Sequence, residues 1–142
     1  MEPEGMVHAL EEIHRTLRPG ALLVDLRPYH PYRPLELIDE GVVRELGRME
    51  EGDGSLDAAS DAALSEVFQR GLFALESVGS FYRCSYWDTA EELREYVEEN
   101  FETTRLPRRL AGEARRAIRA AGRSARLRLQ AYIVVTRLRK AA

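Results

Sequence analysis

Apolar positions recur along this chain with two different periods, and the switches between them mark out its elements. Val7, Leu10, Ile13, His14 and Leu17 fall at helical spacing, which predicts a helix from Pro3 to Arg18 with one apolar face. Pro19-Gly20 ends it, because proline cannot continue the hydrogen-bond ladder and glycine tolerates a left-handed cap. Ala21 to Leu26 is then almost unbroken in apolar residues, the pattern of an interior strand covered on both faces. Prolines at 28, 31 and 34 predict that Arg27 to Pro34 is an extended loop leaving the C-terminal end of that strand.

Further along, Val42 to Met49 is compatible with a short strand, and Glu51-Gly52-Asp53-Gly54 has turn chemistry. Ser55 is placed to cap a helix from Leu56 to about Glu76, with Ala59, Ala63, Leu64, Val67, Phe68 and Leu75 on its apolar side. Ser80 to Trp87 alternates like a strand, and Asp88 with Glu91 resembles a capping box before a helix through Leu93, Tyr96, Val97 and Phe101. Pro107 opens another helix, which Gly122 ends. Leu127 to Leu138 closes the chain as a strand rich in β-branched residues. The expected architecture is α/β: a mixed sheet of about four strands with helices packed on it, spanning residues 1–142 as one domain.

Charge adds a division that the net value of −3 conceals. Residues 1–104 carry 9 Arg against 23 Asp and Glu, a net −14, whereas residues 105–142 carry 12 Arg and Lys against Glu113 alone, a net +11. Such a split fits either an anion-binding tail or two portions that attract each other within the fold. The second reading is preferred, since a core strand lies inside the basic portion. The single cysteine, Cys84, cannot form an internal disulfide, and no stretch has the length or hydropathy of a signal peptide or membrane span, so a cytoplasmic location is expected.

The run from His8 to Asp25, with Leu17-Arg18-Pro19-Gly20 before the apolar strand, resembles the helix and fifth strand of class I S-adenosylmethionine-dependent methyltransferases. In that family an L-R-P-G-G turn commonly precedes the strand; Ala21 stands here in place of the second glycine. Asp88 to Leu93 is similar to the helix start after the sixth-strand region. Leu129 to Thr136 is similar to the closing strand, which in the family runs antiparallel to the others. The resemblance covers the family's C-terminal, substrate-side half and implies a partial Rossmann-like sheet that begins in the middle of the fold. The family's cofactor loop, after its first strand, has no counterpart here. Gly52-Asp53-Gly54 follows a polar segment among acidic residues and reads as a turn.

Ligands of open α/β sheets sit beyond the carboxyl ends of the strands, so Arg27, Tyr29, His30, Tyr32 and Arg33 are the candidate substrate-binding residues. His30 has the chemistry of a general base and Arg33 that of a clamp for an acidic substrate; the alternative is a proline-stiffened surface loop. Tyr82, Tyr86 and Trp87 either stack on a planar substrate or belong to the core, and Cys84 is expected to be a small core or half-buried residue. His8 and His14 are six apart rather than at the i, i+4 spacing of a helical metal pair, so no metal is expected. The arginines of residues 108–128 lack interleaved aromatics, which argues against nucleic acid.

Two functions remain. The resemblance implies the substrate-side part of a split or truncated methyltransferase, inactive alone and binding S-adenosylmethionine only when completed by an N-terminal half. That half is encoded separately or lies upstream of a misassigned start. The alternative is a non-enzymatic module that reuses these strands for homodimerisation or other self-association. A small-molecule substrate suits the first reading, and catalytic residues are not identified by either.

Overall fold

The computed structural model describes residues 3–29 and 33–141. The elements are α1 (Pro3–Thr16), β1 (Leu22–Tyr29), β2 (Pro34–Asp39), β3 (Val42–Arg48), α2 (Ser55–Gln69), β4 (Phe73–Trp87), α3 (Ala90–Asn100), α4 (Arg108–Ala120) and β5 (Arg126–Lys140). The strands form an open antiparallel sheet in the order β1-β5-β2-β3, with β4 also paired to β5. The α/β class is as expected, but the sheet has five strands rather than about four and is antiparallel rather than mixed. The physical reason is the placement of the last strand. β1, β2 and β4 each pair with β5, and β2 and β3 form a hairpin, so no two hydrogen-bonded neighbours run the same way.

The chain divides into two compact units. The first comprises Met1–Tyr29, Gly54–Phe81 and Tyr132–Ala142. In it β1 pairs with β5 from Leu22↔Arg139 to Tyr29↔Tyr132, so the strand extends into the stretch expected to be a loop. Pro28 is tolerated there, opposite Ile133, because β1 is the terminal strand of the sheet order and a missing N–H on an open edge breaks no ladder. Leu10, Ile13 and Leu17 of the first helical segment pack with Leu64, Val67, Phe73, Leu23 and Leu138. Helix α2 stops at Gln69, earlier than the apolar periodicity suggests. Gly71 adopts φ 73°, its N–H bonds the Phe68 carbonyl, and the Leu72 N–H bonds that of Val67, closing the helix in a left-handed stop. Residues 73–81 are thereby released to extend β4.

One expectation for this unit is overturned. Alternate residues of β1 face outward, and Leu22, Val24 and Leu26 are 40%, 50% and 59% exposed. The strand with the most interior-like sequence is covered on one face only.

The second unit comprises His30–Asp53 and Tyr82–Ala131. Its hairpin turns at Glu40 and Gly41, both at positive φ (48° and 80°), the twist-matched geometry of a two-residue β-turn. Strand β2 is an element that the apolar pattern does not predict, since Pro34 stands at its start, yet it carries Leu35 and Leu37 into the core. Leu35, Leu93 and Leu127 are fully buried, each contributing about 2 kcal/mol of transfer free energy. Helix α3 is capped by Thr89, whose hydroxyl accepts the Glu92 N–H at 3.1 Å while the Glu92 carboxylate accepts the Asp88 N–H at 3.2 Å. The reciprocal cap thus sits one residue later than Asp88 and Glu91 suggested. Helix α4 buries Ala111, Ala114 and Ala117, small residues that let its backbone approach closely. The Gly52 Cα lies so near Thr103 that an added Cβ would come within 3.1 Å of the threonine Cβ. The acidic turn is therefore packed against its own unit.

Candidate functional site

The alternation of β1 brings Leu23, Asp25, Arg27 and Tyr29 to its inner, half-buried face. Two of the expected site residues converge there. The Arg27 guanidinium donates to Asp25 at 2.7 Å and lies 3.4 Å from Asp61 of α2, and the Tyr29 hydroxyl donates to the same Asp61 at 2.5 Å. This hydrogen bond, reinforced by the charge of Asp61, raises the Tyr29 pKa above its usual value of 10.0, so the phenol stays a donor at neutral pH. Beside the cluster runs an open, mostly apolar groove of about 390 Å³, lined by Met6, Leu10, Leu56, Ala63 and Leu64 with Asp25 and Arg27 at its polar end. Its volume and lining suit a small ligand with an apolar body. Two carboxylates bridged by one guanidinium can orient such a ligand, and the Ser60 hydroxyl on the same groove donates to the Leu56 carbonyl at 3.0 Å.

Arg33 is placed differently, in the second unit. It is 3% exposed and its Nε lies 3.3 Å from Glu51 Oε1, with the guanidinium 4.7 Å from the centre of the Phe101 ring. The Glu51 Oε1 makes no hydrogen bond of acceptable geometry, so its attraction to Arg33 is coulombic; Oε2 accepts from the Thr104 hydroxyl at 2.7 Å. Burial lowers the Arg33 pKa and the Glu51 charge opposes that shift. The void beside Arg33, Trp87, Tyr96 and Phe101 holds about 10 Å³, at most the room of a single water. His30 and Tyr32 lie outside the described residues.

The strand aromatics and the cysteine also depart from expectation. Tyr82 and Tyr86 are exposed rather than core, with the Arg126 guanidinium 4.5 Å from the centre of the Tyr86 ring. Trp87 is half-buried against Tyr96 at 5.1 Å between ring centres. Cys84 is exposed, because this part of β4 has little covering it on either face. The basic C-terminal portion meets acidic partners inside its own units: Arg115 with Glu91, Arg128 with Glu36, and Arg137 and Arg139 with Glu76. This is the intramolecular reading of the charge division.

A second concavity, of about 540 Å³, opens between α3 and α4 and was not singled out by the sequence. Arg94, Arg105, Arg108 and Arg115 stand on its walls, and Val97 and Phe101 contribute apolar surface. Arg94 and Arg108 are far apart in sequence and only the packing of the two helices unites them. No group of three or more His, Cys, Asp or Glu side chains suited to a metal occurs among the described residues. No described helix is long and apolar enough to cross a membrane. No family model, curated protein or solved structure matches the chain.

Proposed function

We propose that this chain is the substrate-side part of a class I methyltransferase-like protein, acting in the cytoplasm. It would bind S-adenosylmethionine only together with an N-terminal half that supplies the cofactor loop. The observation that carries this reading is β1: an interior-type strand whose outer face, Leu22, Val24 and Leu26, and whose outer edge are uncovered in the described chain. Open edges and apolar sheet faces of this kind are normally covered. The run of β1, α2, β4 and β5 adds support. The last strand pairs antiparallel with β1, and the closing strand of the resembled family likewise runs antiparallel to the others. In this reading the groove that α1 and α2 form over Asp25 and Arg27 of β1 holds a small-molecule substrate.

Isothermal titration of the isolated chain with S-adenosylmethionine tests the proposal. No binding at micromolar concentrations is expected, and binding appears when a glycine-rich strand-loop-helix half is co-expressed. Micromolar binding by the isolated chain overturns it.

The same apolar face also favours a second reading, a homodimerisation module. Analytical ultracentrifugation separates the two: a tight homodimer with no gain on adding an N-terminal half supports self-association as the function.

A further inference from the structure

We infer that the cleft between α3 and α4 binds a small phosphomonoester, an inference independent of the methyltransferase reading. The cleft has the volume of a small-molecule site, about 540 Å³, and lies wholly within one compact unit. Of its four guanidinium groups, Arg115 donates to Glu91 at 2.7 Å and Arg94 acts more weakly on the same carboxylate. Arg105 and Arg108 have no carboxylate at ion-pairing distance among the described residues. Two arginines lining one cleft without a carboxylate partner are the complement of a dianion, and the planar fork of each guanidinium matches phosphate oxygens in pairs.

Position strengthens the case. Arg105 is held by a two-way backbone bridge: its N–H donates to the Glu50 carbonyl at 2.7 Å and its carbonyl accepts the Glu50 N–H at 2.9 Å, which fixes the backbone of one wall. Arg108 is the first residue of α4, whose N-terminus has no side-chain cap, and the free N–H groups of its first turn add positive potential at the same end. Phe101, Val97 and Leu106 give an organic body an apolar surface to lie on. Glu98 and Glu102 also line the cleft and oppose an anion; with Glu91 engaged by Arg115, the four arginines outnumber these three carboxylates by one, so the ligand must reach Arg105 and Arg108.

Calorimetric titration of the full chain with phenyl phosphate, beside inorganic phosphate, tests the inference. One saturable site is expected, weakened roughly tenfold or more by Arg105→Ala or Arg108→Ala, each side chain being worth a charge-assisted hydrogen bond. Glu102→Gln is expected to tighten binding, an effect that general loss of structure cannot produce. Circular dichroism establishes that the variants, all at exposed positions, keep the fold. Absence of saturable binding, or unchanged affinity in both arginine variants, overturns the site. Inorganic phosphate bound as tightly as phenyl phosphate overturns the organic body and points to a free oxyanion.

Discussion

The guanidinium of Arg33 and the carboxylate of Glu51 face each other at 3.3 Å, with Arg33 only 3% exposed. A charge so placed depends on its partner, because removing one member of a buried pair leaves the other unsolvated. Glu51→Gln is therefore expected to destabilise the protein by about 3 kcal/mol in urea unfolding, with the midpoint moving and the slope unchanged. A loss below about 1 kcal/mol would mean that water reaches the pair, the behaviour of a surface bridge.

Lys140, the one lysine in the chain, donates to the carbonyls of His14 and Leu17 at 2.5 and 2.7 Å. These lie at the end of α1, where carbonyls lack helical partners and the helix dipole is negative. Lys140→Met keeps the aliphatic stem and removes the charge. A cost of about 1 kcal/mol is expected, and protection of the last-turn amides of α1 from hydrogen exchange should fall with it.

Gly47 has ordinary φ, so its requirement is steric: an added Cβ would lie 2.8 Å from Leu110 Cδ1, a side chain 5% exposed in the core. Gly47→Ala should cost about 1–3 kcal/mol through overpacking between β3 and α4. A double substitution that also trims the neighbour, Gly47→Ala with Leu110→Ala, should cost less than the sum of the two single changes. Additivity would show that the contact does not couple them.

Hydrogen bonds from Arg139 and Arg115 hold the Glu76 and Glu91 carboxyls below their usual value of 4.5. Unfolded, these groups take up protons at higher pH than when folded, so stability rises with pH across that window. Their contribution is complete above about pH 4.5 and is lost as pH falls through the folded values. Urea midpoints measured from pH 7 to pH 3 should fall in this range. The fall should be shallower in Glu76→Gln and Glu91→Gln, and an unchanged slope would count against the pairs.

Asp61 raises the pKa of Tyr29 by accepting its proton in a hydrogen bond. Asp61→Asn removes the charge and the pKa of Tyr29 should move back toward 10.0. Ring-carbon chemical shifts followed through the alkaline titration would report this one tyrosine among six.

Local periodicity determined much of the secondary structure. The first helix, the short strand from Val42, the helices after Thr89 and Pro107, and the closing strand all appear near the expected residues, since apolar spacing and Pro-Gly stops act within a few residues. The misreadings are local as well. Gly71 at φ 73° ends α2 before its apolar period does, and Glu40-Gly41 makes the turn that pairs β2 as a strand.

What only the tertiary structure decided is pairing and cover. The apolar run from Leu22 to Leu26 predicted burial on two faces, but burial depends on what packs against a strand, and in the described chain helices cover one face alone. Arg27 and Tyr29 share a face by strand alternation, a property of sequence, yet their common partner Asp61 comes from a helix 32 residues beyond Tyr29. Arg33, equally polar in sequence, is buried against Glu51 and Phe101. The sequence by itself determined most of the helices and the closing strand, because that preference is set largely by near neighbours. Which arginines meet a carboxylate and which are left to bind a ligand depended on contacts between residues far apart in the chain, and these the fold alone supplied.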